Sequence, residues 1–506
     1  MSLSLVQSRA LVGLQAAAVT VEVHLANGLP NFMLVGLADT EVKEARERVR
    51  SAILNCGLDF PHNKRITVNL APADLPKDSG RLDLPIALGI LAASGQLPVQ
   101  PLGECELLGE LALTGELKPV DGVLPAALAA AREQRLLILP VGNGPEAALA
   151  AGVHARTART LLEVCGHLQG LITLPLAEAP PQATSAPSYP DLSDVRGQAS
   201  ARRALEITAA GGHHLLLIGP PGCGKTLLAS RLPGLLPEAS EAEALETAAV
   251  HSVSGRGVDL AHWRRRPFRA PHHLASAVAI AGGGSNPRPG EISLAHNGVL
   301  FLDEMAEWSR YTLEALRQPL ESGTVTVSRA ARQSEFPARF QLVAAMNPCP
   351  CGWAGDPSAR CGCSAEAVQR YRARLSGPLM DRIDLQLAVP RLPPQDLRPG
   401  APRGEHSAVV RERVLAARER QQARTGVLNA HLSQAQTEQH CRLAPRDQAL
   451  LEQAMASLQL SARAMHRILR VARSIADLDA SEAIATPHLA EAIGYRLLDR
   501  AAGGIS

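Results

Sequence analysis

The chain has 506 residues, of which 46% are hydrophobic and 20% charged, and its formal net charge is +2. This length exceeds what one hydrophobic core can serve, so we expect two to four domains. No uninterrupted apolar run approaches the roughly 18 residues that cross a bilayer. The alternating stretch VTVEVHL near the N-terminus predicts a strand rather than a signal peptide. We therefore expect a folded protein of the reducing cytoplasm, with no membrane partner.

Two proline-rich stretches divide the chain. LPLAEAPPQATSAPSYP at 174–190 predicts a linker after an N-terminal domain over 1–173. A second stretch, VPRLPPQDLRPGAPRG, separates a middle region over 191–390 from a C-terminal domain over 400–506. There, AVVRERVLAARERQQART has apolar and charged faces at helical spacing, and Gly426 suits a helix end. We predict an α/β protein with an all-α C-terminal domain.

The first chemical motif is a glycine loop between a predicted buried strand and a predicted helix, in HHLLLIGPPGCGKTLLASRL. It fits G-x-x-x-x-G-K-[ST] in the structural context that this motif requires. The glycines let backbone N–H groups surround phosphate oxygens, the lysine reaches the β- and γ-phosphates, and the threonine hydroxyl binds Mg²⁺. Lys225 is the only lysine that follows Lys118 in the sequence, which indicates that this position needs a compact ammonium group. The predicted nucleotide-binding residues are Gly219, Pro220, Pro221, Gly222, Cys223, Gly224, Lys225 and Thr226.

Two further predicted strands end in polar residues. NGVLFLDEM ends its strand at Asp303, which would hold the water shell of Mg²⁺, and Glu304, which would polarise the attacking water. FQLVAAMN ends in Asn347, which is placed to orient that water or to sense the γ-phosphate. Together with the glycine loop, these residues predict ATP hydrolysis.

An arginine between two acids, Arg382, lies in GPLMDRIDL. In isolation this pattern would usually form a surface salt bridge. In an ATPase of this layout, Arg382 is the expected arginine finger, which neutralises transition-state charge in the site of a neighbouring subunit. That role implies a ring of subunits.

Four cysteines are concentrated in NPCPCGWAGDPSARCGCS at 347–364, namely Cys349, Cys351, Cys361 and Cys363. Two C-x-C pairs can supply four thiolates to tetrahedral Zn²⁺, although C-x-x-C spacing is more usual. A reducing compartment disfavours disulfides, and a redox switch would need a perturbed thiol. Structural Zn²⁺ is our prediction, with plain loop cysteines as the alternative. Such a site would stiffen the segment between Asn347 and Arg382.

These motifs together resemble those of the ComM/YifB family of magnesium-chelatase-like AAA+ ATPases. The resemblance rests on GPPGCGKT, RPFRAPHH, PGEISLAHNGVLFLDE, NPCPCG, SGPLMDRIDL and, near the C-terminus, SARAMHRILRVARSIADL. It extends to NGLPNFMLVGLADTEVKEARERVRSAI and DLPKDSGRLDLPIALGILAASGQ near the N-terminus. It implies an AAA+ core with a parallel sheet and a C-terminal helical lid. It also implies a homo-hexameric, ATP-driven motor that promotes branch migration of DNA in recombination or natural transformation.

The resemblance also implies roles by position. Asn347 resembles sensor one, Arg382 the arginine finger and Arg463 the sensor-two arginine, although three further arginines follow Arg463 on the same predicted helix. Val195 and Gly197 resemble the segment that lies along adenine.

The N-terminal domain is similar to the protease domain of Lon, which uses a Ser–Lys pair. Asp83 occupies the serine position, and Leu124 or Pro125 the lysine position. We therefore expect a Lon-like α+β fold without proteolysis.

DNA contacts are predicted in two places. ESGTVTVSRAARQSEFPARFQLVAAMN predicts a β-hairpin with Arg329 and Arg332 near its tip, similar to the channel hairpin of minichromosome-maintenance helicases. Arginines there would contact phosphates without reading the base sequence. WRRRPFRAPHH is a second candidate surface, and a solvated charge cluster is the alternative for both. A chelatase motor subunit for tetrapyrroles and a chaperone-like remodelling ATPase are the competing functions.

Overall fold

The computed structural model describes residues 3–36, 40–75, 77, 80–179, 189–284, 287–329, 332–398 and 402–496. Within these ranges the side chains of residues 40–43, 328, 329, 332 and 397 are not described. The protein is mixed α/β, with a parallel sheet and C-terminal helices, which confirms the predicted fold class. None of the described helices is long and apolar enough to cross a membrane.

The chain forms two compact units. The N-terminal unit comprises Met1–Thr184, Glu241–Trp263 and Arg332–Phe336, and the C-terminal unit comprises Ser185–Ser240, Arg264–Ala331 and Pro337–Ser506. The domain boundaries inferred from the sequence remain a prediction.

The N-terminal unit contains a seven-stranded mixed sheet. The predicted VTVEVHL strand lies inside it, with Val19, Val21 and Val23 fully buried, because alternate side chains point to one face of a sheet. In order across the sheet, the strands are Asn31–Val35, Lys64–Ala71, Gln15–Asn27, Leu3–Val12, Cys105–Leu107, Leu136–Pro140 and His154–Ala158. A two-stranded sheet joins Glu110–Leu111 and Leu117–Lys118. The helices of this unit are Thr40–Asn55, Asp83–Ala93, Gln100–Glu104, Val123–Arg132, Gly144–Ala147, Leu161–Leu168 and Glu241–Val253.

Helix Glu241–Val253 follows the glycine loop in sequence but belongs to the N-terminal unit. Its Ala248 and Ala249 pack in the hydrophobic core that contains Leu124. The carbonyl of Ser252 accepts a hydrogen bond from the Gly122 N–H at 3.0 Å. This helix lies in sequence between the glycine loop and the strand that precedes Asp303, yet it contributes to the hydrophobic core of the N-terminal unit.

Asp83, at the position that resembles the Lon nucleophile, is buried in an ion pair. Its Oδ2 lies 2.7 Å from Nε of Arg48 and accepts a hydrogen bond from the Leu111 N–H at 3.2 Å. Burial raises the pKa of Asp83 to about 6, an effect that Arg48 opposes. This carboxylate is engaged in structural contacts, and the absence of proteolysis remains a prediction.

The C-terminal unit contains a five-stranded parallel sheet. Its inner strands are almost wholly apolar because both faces are covered. In order across the sheet, the strands are Phe268–Arg269, Val299–Leu302, Gln341–Met346, Leu215–Ile218 and Leu385–Ala388. The helices before and between them are Ala199–Gly211, Lys225–Ala229, Leu232–Leu235, Ala277–Ala281, Glu291–Leu294, Arg310–Glu314, Arg317–Ser322, Ala365–Arg372 and Gly377–Met380.

The described residues form two further small sheets. One joins Gly282–Gly283 to Arg288–Pro289, and the other joins Thr324–Arg329 to Arg332–Pro337. The second is the hairpin predicted from the sequence. The side chains of Arg329 and Arg332 lie outside the described part of the chain, so their contact with DNA remains a prediction.

The C-terminal helices confirm the predicted all-α region. They are Ser407–Thr425, Gln434–His440, Pro445–Leu458, Ala462–Leu478 and Thr486–Gly494. The first ends at Gly426, whose φ of 72° suits glycine, as the sequence predicts. Ser461 caps helix Ala462–Leu478 by accepting a hydrogen bond from the Ala464 N–H. This helix buries Ile468 and Ile475 in the same hydrophobic core as the sheet.

Candidate active site

Three predicted site segments meet at one edge of the parallel sheet. Gly219, Asp303 and Asn347 each follow directly on the carboxyl end of a strand. The register pairs Ile218 with Met346, so the glycine loop and Asn347 leave the sheet side by side. Ligands of open parallel sheets bind outside the carboxyl ends of the strands. The fold therefore places these segments where a nucleotide site is expected.

The ammonium group of Lys225 lies inside the glycine loop. Its Nζ donates to the carbonyls of Gly219 at 2.7 Å and Pro220 at 3.0 Å, and to Oδ1 of Asn347 at 3.2 Å. The preceding Gly224 has a φ of 93°, a conformation that a residue with a Cβ rarely adopts. The loop backbone thus turns around a cation that is 9% exposed and suited to bind phosphate oxygens.

Thr226 and Asp303 are positioned to hold Mg²⁺. The Thr226 hydroxyl donates to Oδ2 of Asp303 at 2.7 Å, which brings together two of the oxygen ligands that Mg²⁺ accepts. The other carboxylate oxygen of Asp303 accepts from the Glu304 N–H at 2.9 Å, and its backbone carbonyl accepts from Nε1 of Trp308 at 2.9 Å. These bonds fix the turn that follows the strand. The donor set fits the predicted metal.

Glu304 extends from this turn towards solvent. Its φ of 50° lies in the left-handed region, which is uncommon for a residue with a side chain, and its side chain is 51% exposed. Oε2 of Glu304 lies 3.2 Å from Nδ1 of His273. His273 belongs to the motif RPFRAPHH, but nothing in that motif alone predicts a place for it at this site.

Arg382 lies at the opposite edge of the sheet. It precedes strand Leu385–Ala388, whose Leu385 pairs in parallel register with Leu215 at the start of the glycine-loop strand. The Arg382 side chain is 8% exposed, and it forms an ion pair with Glu321 and donates to the carbonyl of Pro378. The predicted finger is therefore separated from its own glycine loop by the length of a strand.

Arg463, the predicted sensor-two arginine, shares a cavity with Arg382. The cavity has a volume of about 250 Å³ and carries more basic than acidic groups. It is lined by Glu321, Asp381, Arg382, Gln434, Arg463, His466, Arg467 and Arg470. Such a cationic cavity is suited to a polyanion.

Arg467 joins the C-terminal helices to the backbone of Arg382. Its Nη1 donates to the carbonyl of Arg382 at 3.1 Å and to Oδ1 of Asp384. The second oxygen of Asp384 accepts from the His214 N–H at 2.9 Å. Although burial opposes ionisation, Arg467 and His213 hold the pKa of Asp384 well below its usual range. Arg467 is one of the three arginines that follow Arg463 on this helix, and in the structure it contacts the backbone of the predicted finger.

The cysteine cluster (Cys349, Cys351, Cys361 and Cys363) has the geometry of a metal site. The four sulfurs all lie within 4.8 Å of one another, with separations of 3.4, 3.6 and 3.7 Å among the first three. Four thiolates about 2.3 Å from Zn²⁺ would lie about 3.8 Å apart in a tetrahedron. The donors therefore fit Zn²⁺.

The cysteine cluster packs against the nucleotide loop. A Cβ on Gly352 would lie 2.9 Å from Cδ of Pro221 and 3.8 Å from Cγ of Asn347. Gly352 thus allows the cysteine loop to approach both the glycine loop and the predicted sensor.

The remaining predicted residues lie elsewhere in the C-terminal unit. Val195 is 2% exposed and packs in its hydrophobic core, and Gly197 lies against Leu392. Their contact with adenine remains a prediction.

In the second candidate DNA surface, several arginines already have partners within the C-terminal unit. Arg266 is 8% exposed and donates to the carbonyl of Asn297, and Arg269 forms a bidentate pair with Glu291. Contact of this segment with DNA, like that of the hairpin, remains a prediction.

Known proteins resemble the chain along its whole length. Residues 191–397 match the family described as magnesium chelatase, subunit ChlI, and residues 21–143 and 404–496 match further families described as subunit ChlI and its C-terminal part. Competence protein ComM of Haemophilus influenzae is 54% identical over 504 residues, which cover 99% of this chain and 98% of that protein.

Two other relatives, one similar over the whole chain and one over about half of it, extend this similarity. YifB of Escherichia coli is 52% identical over 500 residues, with 99% and 98% coverage. The magnesium-chelatase 38 kDa subunit of Rhodobacter capsulatus is 27% identical over 273 residues, or 49% of this chain and 75% of that protein. The chain therefore belongs to the ComM/YifB family of magnesium-chelatase-like AAA+ ATPases.

Proposed function

We propose that this AAA+ ATPase is a cytoplasmic homo-hexameric motor that hydrolyses ATP between neighbouring subunits to drive branch migration of DNA. One observation carries the proposal: the nucleotide loop and the predicted arginine finger lie at opposite edges of one sheet. Such an arrangement suits a site that is completed by a second copy of the chain.

In the proposed hydrolysis, Lys225 binds the β- and γ-phosphates and exchanges its contacts with loop carbonyls for phosphate oxygens. Thr226 and Asp303 hold Mg²⁺, which neutralises phosphate charge when bound. Glu304 polarises the attacking water, and Asn347, already within hydrogen-bond distance of Lys225, orients that water near the γ-phosphate.

The position of Arg382 supports the proposed ring. Strand Leu215–Ile218 separates the two edges by about 10 Å, since a strand rises about 3.3 Å per residue. Arg382 and Arg463 therefore act on the nucleotide of the adjacent subunit. When the interface forms, Arg382 leaves its ion pair with Glu321 and contacts the phosphates of the nucleotide bound by the adjacent subunit.

DNA is the proposed substrate of the motor. The name of the Haemophilus influenzae relative, competence protein, supports a role in natural transformation. Arg329 and Arg332 near the hairpin tip would grip phosphates in the channel of the ring. Structural Zn²⁺ in the cysteine cluster would hold the loop that packs on Pro221.

The function is tested by measuring ATP turnover without DNA, with linear duplex and with a four-way junction. We expect branched DNA to stimulate turnover severalfold. Lys225→Ala should abolish nucleotide binding, whereas Glu304→Gln should bind ATP and lose about 10²-fold or more in turnover, because only the water-activating group is changed. Turnover that is indifferent to every DNA would contradict the DNA motor. It would favour the chelatase function, which the similarity to the Rhodobacter capsulatus subunit supports, or protein remodelling.

The DNA grip is tested by replacing both Arg329 and Arg332 with Ala. Binding should weaken for every sequence, and the slope of log K against log salt should flatten by about 0.9 for each phosphate of duplex DNA that the variant no longer neutralises. Basal ATP turnover should survive. The matched control is Arg442→Ala with Arg446→Ala, two exposed arginines of the C-terminal helical region. Equal effects on DNA binding in both double variants would reject the hairpin as a specific grip.

A further inference from the structure

The carboxylate that pairs with the predicted finger belongs to the helix that leads into the hairpin. Glu321 lies in helix Arg317–Ser322, and the first hairpin strand, Thr324–Arg329, begins directly after Gly323. Oε1 of Glu321 forms an ion pair with Nη2 of Arg382, whose side chain is only 8% exposed. A short stretch of chain therefore connects the predicted DNA contact to the residue that is predicted to act on the adjacent active site.

Hydrogen bonds fasten this helix to the first hairpin strand. The Thr324 N–H donates to the Ser322 hydroxyl at 3.2 Å. One turn earlier in the helix, the Gln318 amide donates to Oγ1 of Thr326 at 3.4 Å. Gly323 between the two elements has a φ of 70°, and its N–H donates back to a carbonyl of the helix at 2.9 Å. A displacement of the strand is therefore transmitted to the helix rather than absorbed between them.

Arg382 is held inside its own subunit in a state that it can leave. Its Nη1 donates to the carbonyl of Pro378, but its buried Nε has no hydrogen-bond partner among the described residues. A buried donor without a partner is unfavourable, so this state is less stable than a fully paired one. Two cavities of about 250 and 330 Å³ are each lined by both Glu321 and Arg382. The two side chains therefore have space in which to separate.

We propose that the ion pair between Glu321 and Arg382 is an autoinhibitory contact, which DNA breaks by displacing the hairpin and the helix that carries Glu321. The inference rests on the proposed roles of Arg382 as the finger and of the hairpin as the DNA contact. Arg382 reaches the nucleotide of the adjacent subunit only after the pair has separated. Because a half-exposed ion pair contributes little stability, DNA needs only a modest preference for the displaced hairpin to shift this equilibrium. Glu321 thus makes ATP turnover depend on the phosphate backbone of DNA.

The first test measures ATP turnover by the full chain without DNA and with saturating linear duplex. We expect Glu321→Ala to raise DNA-free turnover severalfold, so that the ratio of stimulated to basal turnover falls to near one. Glu321→Gln keeps the size of the side chain and removes its charge, so it should change both quantities in the same direction. The matched control is Glu314→Ala, which removes a carboxylate that pairs with Arg317 at 2.7 Å, and it should keep the parental ratio.

The second test places Glu321→Ala in two other backgrounds. When Arg329 and Arg332 are both Ala, DNA should no longer stimulate turnover, and adding Glu321→Ala should raise DNA-free turnover, because the contact no longer has to be broken. In an Arg382→Ala background, Glu321→Ala should change nothing, because the residue acts through the finger.

Several results would overturn the inference. Parental basal turnover in both Glu321 variants, together with a parental response to DNA, would mean that the ion pair does not inhibit. Lower turnover with a lowered melting temperature would mean that Glu321 supports the fold or holds Arg382 in its active position. An increase that persists in the Arg382→Ala background would mean that Glu321 acts elsewhere.

Failure of the proposed function gives different results. A parent protein that no DNA stimulates would refute the DNA motor, and parental turnover by Arg382→Ala alone would refute the finger. Both outcomes are read from proteins in which Glu321 is unchanged, so they are distinguishable from failure of the autoinhibitory contact.

Discussion

Replacing Arg382 with Ala tests whether the active site is shared between subunits. An arginine finger contributes about 10³- to 10⁵-fold to turnover in related phosphoryl-transfer enzymes, or about 4–7 kcal/mol of transition-state stabilisation. The cost to folding should be small, since Glu321, the partner of Arg382, is 62% exposed and an exposed carboxylate remains solvated. We expect Arg382→Ala to retain nucleotide binding and lose at least about 10³-fold in turnover.

Mixing two inactive variants distinguishes action within a subunit from action between subunits. Arg382→Ala has an intact glycine loop, and Lys225→Ala has an intact finger. In a randomly mixed ring at equal concentrations, half of the loops and half of the fingers are functional. About one quarter of the interfaces is then complete, so turnover should recover to about one quarter of the parental value if interfaces act independently.

The controls are each variant alone and a mixture of Arg382→Ala with Arg382→Ala/Lys225→Ala, which can form no complete interface. Recovery should depend on subunit exchange and should be absent when rings are cross-linked before mixing. Two inactive variants that never complement each other would refute the shared site. Parental turnover by Arg382→Ala alone would refute its role as the finger.

Three other predictions follow from the packing of the C-terminal unit. Gly352→Ala should raise KM for ATP about tenfold, because the new Cβ would lie 2.9 Å from Pro221 and the backbone φ of 85° disfavours a side chain. The control is Gly362→Ala, whose Cβ would have no atom within 4 Å, and this variant should leave KM unchanged. Elemental analysis should find about one Zn²⁺ per chain, and metal-free protein with four freely titrating thiols in the cysteine cluster would reject that site. Burial lowers the pKa of His214 to about 4 in the folded protein. In the unfolded chain this histidine already binds a proton as the pH falls below about 6.5, whereas in the folded protein it does so only near pH 4. Stability should therefore fall between pH 6.5 and 4, by at most about 3 kcal/mol from this group, and urea unfolding of His214→Asn should show a weaker pH dependence.

The sequence predicted those elements whose sequence patterns lie within a short stretch of the chain. The glycine loop, the strands that end at Asp303 and Asn347, and the arginine hairpin each combine apolar patterning with turn residues inside about twenty positions. The structure then brings these polar residues to one edge of the sheet, because parallel strands share a direction.

Other features depend on contacts that no local pattern encodes. His273 meets Glu304 only because their strands are neighbours, and the position of Arg382 depends on the register of Leu385 with Leu215. Helix Glu241–Val253 has an alanine-rich apolar face that fits many cores, so its sequence does not specify that it joins the N-terminal unit. Such placements are decided by tertiary packing.

The most direct test of the DNA-motor proposal follows branch migration of a labelled four-way junction with purified full-length protein. The proposal predicts ATP-dependent resolution of the junction into duplex products, absent with Lys225→Ala and Glu304→Gln and strongly reduced when Arg329 and Arg332 are both Ala. A parent protein that hydrolyses ATP and binds the junction, yet leaves it unmoved, would contradict the DNA-motor proposal.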